Sequence, residues 1–229
     1  MRRLSVTLSP NEAAAGFGYL IFQLMFLGPF LYVCNSLLHK PLSTTTLNII
    51  AFILNFVVIL LIFHRFLWNN LKNVFKNLWD TICWTLAGFG LFFLGNLLVS
   101  LLIVNVQPNY INANDTAVGQ MVRQNFSLMA LCTVILVPIV EETLYRGLVF
   151  GFLYRKNHIL GFVVSTAFFA AVHVVGYVGQ VAPVTIALSF LQYVPAGLCL
   201  AWTYVKTDSI WSCVVIHLLN NQLSILLSR

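Results

Sequence analysis

The chain is predicted to be an all-α membrane protein, a polytopic transmembrane helical bundle of about seven to eight spans. Three observations predict it. Of 229 residues, 60% are hydrophobic and 8% charged, with a mean hydropathy of +0.91, whereas soluble domains are roughly half apolar and a quarter charged. The apolar residues also fall in blocks about 20 residues long, the length with which a helix crosses a hydrocarbon core about 30 Å thick. Finally, the ionisable residues sit mainly in the connections between blocks or near block ends, apart from a small set deep inside three of them.

Taken in order, the blocks lie at residues 14–38, 46–68, 82–106, 127–154, 159–179, 184–204 and 209–227. The fourth is long enough to hold two shorter helices, which would add an eighth span. Arg2 and Arg3 precede the first block as they would in a secretory leader. That block is too long for the about 7–15-residue apolar segment of a leader, so it reads as a retained span. Between the second and third blocks, near residues 69–80, Leu71, Val74, Phe75, Leu78 and Trp79 recur at helical spacing. Asn70, Lys72, Asn73, Lys76 and Asn77 take the opposite face. The pattern predicts a short basic helix on the cytoplasmic membrane surface.

Charge sets the topology. With alternating loops, Arg2, Arg3, Arg65, Lys72, Lys76, Arg155, Lys156 and Lys206 fall on one side, and Lys40, Arg123 and Arg229 on the other. The positive-inside rule then predicts a cytoplasmic N-terminus in a multi-pass plasma membrane protein, with the C-terminus outside if the spans number seven. The net charge of +6 does not point to nucleic acid, because the basic residues form no aromatic-interleaved face. The five cysteines, Cys34, Cys83, Cys132, Cys199 and Cys213, lie singly in apolar segments without CxxC spacing and read as packing residues. The most polar connection, residues 107–124, carries the acceptor-like triplet Asn114, Asp115, Thr116, a pattern that arises often by chance.

An ionisable group at the centre of a span costs about 2.5–3.5 kcal/mol on insertion scales, so it is retained where something compensates it. The fourth block holds Glu141, Glu142 and Arg146; the fifth, Phe169 and His173; the seventh, His217 and Asn221. Glu142 and Arg146 stand four apart with the acid first, the favourable order for an ion pair along a helix. Glu141 is then left about 100° round the helix, free to face another partner. Pro138, just upstream, interrupts the backbone ladder, and a kink there would open room for water. Four-residue spacing likewise sets Phe169 beside His173 and His217 beside Asn221, so three helices can converge on one polar interior. His39, His64 and His158 lie near block ends and read as interfacial.

The three motifs, EExxxR at Glu141, Glu142 and Arg146, FxxxH at Phe169 and His173, and HxxxN at His217 and Asn221, resemble in order and spacing those of the CAAX-protease and bacteriocin-processing family. The resemblance covers about residues 125–229 and leaves residues 1–124 as N-terminal transmembrane helices without a matching motif. It implies an intramembrane endopeptidase. Glu141 would activate the attacking water, His173 would position or deprotonate it, His217 and Asn221 would stabilise the oxyanion, and Glu142, Arg146 and Phe169 would support the site. It implies as partners the lipid bilayer and a hydrophobic or lipidated peptide or protein, and no cofactor. Zinc held by Glu141, His173 and His217 is the alternative, although HExxH is absent. Many bacterial relatives are tied to bacteriocin immunity or peptide maturation. Two other classes compete: a non-enzymatic immunity or regulatory protein of the same fold, and a proton-coupled transporter, against which stands the lack of repeated halves.

Overall fold

A computed structural model describes residues 3–227, so Arg2 and Arg229 of the charge asymmetry lie outside the described residues. Helix α1, Pro10–Ser36, begins at a capping box. The Ser9 hydroxyl accepts from the Glu12 amide at 3.3 Å, and the Glu12 carboxylate accepts from the Ser9 amide at 2.9 Å. Helix α2, Thr44–Lys76, is capped by Ser43 and leaves helical geometry at Phe63, with φ −110° and ψ 15°. Glu12 answers that break, since its second carboxylate oxygen takes the Phe66 amide at 3.1 Å. Gly16 makes room for the side chain at that break, because a Cβ there would lie 2.5 Å from the Phe63 ring. One capping glutamate thus starts α1 and ties it to the bend in α2.

After Asn77 the chain reverses into α3, Leu78–Val106. A short polar helix, α4, Ala113–Gln124, follows under an Asn112 cap. Then come α5, Phe126–Lys156, α6, His158–Val174, α7, Pro183–Thr207, and α8, Ile210–Leu227. All-α architecture is as expected. Six helices among the described residues are long and apolar enough to span a membrane, and α8 is a shorter apolar helix. Each of the seven blocks coincides with one helix, and the fourth is a single helix of 31 residues rather than two.

The bundle has an aromatic and aliphatic core and an outer surface rich in leucine. Phe63, Phe66, Leu144, Leu148, Phe150, Leu200 and Ile216 form the core, while Leu94, Leu97, Leu98, Leu101 and Leu102 of α3 are exposed, as suits a surface facing lipid. Without a hydrophobic drive between helices in lipid, close approach at small residues holds them together. Gly88 of α3 faces Thr203 of α7, and Gly95 faces Pro195. Gly161 of α6 sits against the α5 backbone, where a Cβ would lie 2.8 Å from the Tyr154 Cα and 3.0 Å from its nitrogen. Neither atom can swing aside, so Gly161→Ala is expected to destabilise the protein by about 1–3 kcal/mol, read as a lowered unfolding midpoint in detergent.

The turn between α7 and α8 is fastened to α2. Asp208 ends α7 in the left-handed region, with φ 55°. Its carbonyl accepts from Asn73 at 2.8 Å, and its carboxylate accepts from the Ser5 amide at 2.9 Å and from the Ser5 hydroxyl. Asn70, fully buried, accepts the first free amide of α8, from Ile210, at 3.1 Å. The segment near residues 69–80 is helical as far as Lys76, as the continuation of α2 beyond Phe63. Of its asparagines, Asn70 leaves the open face expected of it and is fully buried, while Asn73 is half-buried at the edge of that face. Asn70 sets the start of the helix that carries His217, and Asn73 holds the turn before it.

Candidate active site

Helix α5 is distorted where the chemistry lies. A π turn at Cys132–Leu136 precedes Pro138, and a longer one, Thr143–Phe150, follows the two glutamates. Such wide turns cluster at functional positions. Just before Pro138 the helix widens: Val137 donates to the Cys132 carbonyl, five residues back. Continued one step, that register would give the Thr133 carbonyl the amide of residue 138, which as proline has none. Asn221 of α8 supplies the missing donor, its Nδ2 lying 2.8 Å from the Thr133 carbonyl. Asn221 is therefore a brace between α8 and α5, and Asn220 donates to its Oδ1 at 3.4 Å.

Glu142 and Arg146 pair as their spacing predicts, with Arg146 Nε 3.2 Å from Oε2 and Nη1 3.3 Å from Oε1. Both side chains are buried, Glu142 completely. Arg146 also donates from Nη2 to the Ala196 carbonyl at 3.2 Å and stacks its guanidinium 4.1 Å from the centroid of the Phe169 ring. Phe169 thus serves two neighbours, because its carbonyl lies 2.8 Å from His173 Nδ1. His217 Nδ1 sits 2.8 Å from Glu142 Oε1. The buried carboxylate joins α5 to α8 as well as to its own arginine, a bond that helical spacing alone could not foresee.

Glu141 stands apart. Its Oε2 is buried and makes no hydrogen bond, and it lies 3.6 Å from His173 Nε2 and 4.0 Å from His217 Nε2. Each imidazole is fixed through Nδ1, His173 by a backbone carbonyl and His217 by Glu142, so each turns its Nε2 toward Glu141. Glu141, His173 and His217 therefore converge, with Glu142, Arg146 and Phe169 around them. Asn221 joins the group through the α5 backbone.

As for zinc, the donor atoms are spaced more widely than the edge of a tetrahedron built on bonds of about 2.0 Å, which is about 3.3 Å. Among the described residues no group of three or more His, Cys, Asp or Glu side chains is arranged to hold a metal ion.

One part of the site carries no motif. Tyr193 of α7 stacks on His173, with ring centroids 4.4 Å apart and 30° between planes. Its hydroxyl reaches the start of α4, accepting from Asn114 at 3.1 Å and Asn112 at 3.4 Å and donating to Asp115 at 3.4 Å. Asn112 also donates to Gln192 at 2.8 Å, which accepts from Tyr110 at 2.7 Å. The triplet at Asn114, Asp115 and Thr116 thus belongs to a polar network behind His173. Ser189, four residues before Tyr193 on α7, meets the Tyr110 hydroxyl at 2.9 Å, yet nothing in the sequence tied either to the segment that leads into α4.

Comparisons with known proteins bear on this geometry. The family model described as type II CAAX prenyl endopeptidase Rce1-like matches residues 123–223, a stretch containing all three motifs. The chain is similar to "Putative membrane peptidase YdiL" of Bacillus subtilis (strain 168), 28% identical over 176 residues, or 76% of this chain and 68% of that protein. It is also similar to UPF0177 protein YxdF of Lactococcus lactis subsp. lactis (strain IL1403), 32% identical over 154 residues, or 64% of this chain and 77% of that protein. No solved structure matches it.

Proposed function

Because the chain belongs to the CAAX-protease and bacteriocin-processing family, we propose that it is a membrane-embedded endopeptidase in which Glu141 activates the water that hydrolyses a hydrophobic or lipidated peptide. The observation that carries this reading is the unsatisfied Glu141 oxygen facing two imidazole nitrogens across 3.6 and 4.0 Å. A buried carboxylate oxygen without a partner costs about 1–3 kcal/mol, and a water seated between these groups would relieve it. His173 Nδ1 faces a carbonyl, which only accepts, so it carries the hydrogen and Nε2 keeps its lone pair. The water would give one hydrogen bond to Glu141 and one to His173, leaving its oxygen lone pair for the substrate.

As that oxygen bonds to the scissile carbon, its proton passes to Glu141 and the carbonyl π electrons move onto oxygen. His217 supports this step if it is an imidazolium, since Nδ1–H is committed to Glu142 and only the charged ring presents an Nε2–H to the oxyanion. Asn221, with one amide hydrogen held by Thr133, is assigned a role with its second. When the intermediate collapses, the C–N bond breaks and Glu141 returns its proton to the leaving amine, so water is consumed and an acid and an amine form.

No step here is routed through a metal. The test is cleavage of lipidated and unlipidated hydrophobic peptides by purified protein in detergent, with and without a chelator. Cleavage that survives the chelator is expected; cleavage abolished by it would replace this mechanism with a metal site at Glu141, His173 and His217. Failure to cleave any membrane peptide in either condition would favour a non-enzymatic immunity or regulatory role.

Tyr193 is read as a positioning residue for His173. Tyr193→Phe keeps the stacked ring and should stay within about threefold of wild type. Tyr193→Leu removes the ring and should lower kcat about tenfold with little change in KM. Equal losses in both would mean that the hydroxyl network, rather than the stacking, holds His173. The charge distribution supports the orientation expected from the sequence. Lys72, Lys76, Arg155, Lys156 and Lys206 gather at the end of the bundle where Ser5 and Asp208 meet, a face we read as cytoplasmic by the positive-inside rule.

A further inference from the structure

At that basic end lies a polar cavity of about 360 Å³ that the catalytic reading does not use. Its polar lining is Ser5, Thr7, Asn69, Lys72, Asn73 and Lys76. The four α2 residues follow one another at three- and four-residue steps and so share a helix face. The opposite wall is the segment before α1. That wall is held in place, because Ser5 bonds to Asp208 through both its amide and its hydroxyl, and Asn73 bonds to the Asp208 carbonyl. The two walls are therefore fixed to each other, around a depression that is broadly open to its surroundings.

Its charge is uncompensated. Neither Lys72 nor Lys76 forms an ion pair among the described residues, and no acidic side chain lines the cavity. Asp208, the acid behind the wall, is 2% exposed and is occupied by Ser5. On the other flank of the same stretch, running into the start of α3, Phe75, Leu78 and Trp79 are exposed at 69, 48 and 75%. Two ammonium groups next to unburied apolar and aromatic side chains, at the end of a transmembrane bundle, is the arrangement of a membrane interface. There the rings and leucine enter the acyl region and the cations meet headgroups.

We propose that this cavity binds a phosphate group, that of an anionic phospholipid in the leaflet bordering this end of the bundle. Lys72 and Lys76 supply the charge and the Thr7 hydroxyl and Asn69 amide the further donors, with the acyl chains lying along Phe75, Leu78 and Trp79. The site is independent of peptidase chemistry.

The full chain in mild detergent is mixed with short-chain phosphatidylglycerol, with phosphatidylcholine or with inorganic phosphate. Bound molecules are counted by native mass spectrometry and the unfolding midpoint is recorded. Phosphatidylglycerol is expected to be retained and to raise the midpoint, and the other two to do neither. The Lys72→Gln/Lys76→Gln double variant should bind it about thirtyfold more weakly, about fivefold for each lysine, while keeping the wild-type midpoint without lipid. A control double variant, Arg155→Gln/Lys156→Gln, has the same net charge but an intact cavity and should bind as wild type does. Equal weakening in that control would replace the cavity with diffuse surface charge and overturn the proposal, as would undiminished binding by the lysine variant. Saturation by inorganic phosphate at the same concentration would overturn the lipid as the source of the phosphate.

Discussion

Glu141→Gln is expected to lower the rate of peptide hydrolysis by about 10³-fold, within the range that a positioned general base contributes, while leaving the unfolding midpoint and substrate affinity near wild type. Glutamine matches the carboxylate in shape and keeps the contact with His173, so the loss isolates basicity. His173→Gln should fall in the same range, and the double variant should be little worse than either single one, because residues acting on one water are not additive. The neighbouring change, Glu142→Gln, has a different signature. Glu142 is completely buried between Arg146 and His217, so its neutralisation should first lower stability, and activity only through His217. Activity retained in Glu141→Gln and lost in a stably folded Glu142→Gln would exchange the two roles and overturn the mechanism.

Most of the arrangement around the glutamates is legible in the sequence because lipid admits so few polar residues. Within apolar blocks each Glu, His or Arg stands out, and helical spacing then says which of them share a face. That logic reaches the Glu142–Arg146 pair and the Phe169–His173 contact. It fails where the backbone departs from 3.6 residues per turn. The Thr133 carbonyl becomes an acceptor for Asn221 only because Pro138 falls in the register of a π turn, and hydropathy carries no trace of that register. It fails also where polar residues are ordinary, as in residues 107–124, whose asparagines look like any loop yet hold Tyr193 behind His173. The asparagines at 70 and 73 mislead for a related reason. Helical periodicity groups them with Lys72 and Lys76, whereas the α7–α8 turn gives each a backbone partner, the Ile210 amide for Asn70 and the Asp208 carbonyl for Asn73.

Arg146 carries the largest expected effect on stability. Its guanidinium lies 2% exposed among Glu142, the Ala196 carbonyl and the Phe169 ring, and Arg146→Met keeps much of the volume while removing the charge. Glu142 would then be left buried with the His217 imidazole as its remaining polar partner. Breaking one side of such a pair typically costs about 3–5 kcal/mol, far more than the intact pair contributes over an apolar replacement. The single variant should therefore show a strongly lowered unfolding midpoint in detergent. Adding Glu142→Gln to Arg146→Met removes the stranded charge and should recover a large part of the loss, a coupling that two independent packing defects would not give. If the double variant is instead less stable than either single one, the arginine acts mainly through its volume and its bond to α7, and the buried charge is not what holds α5 in place.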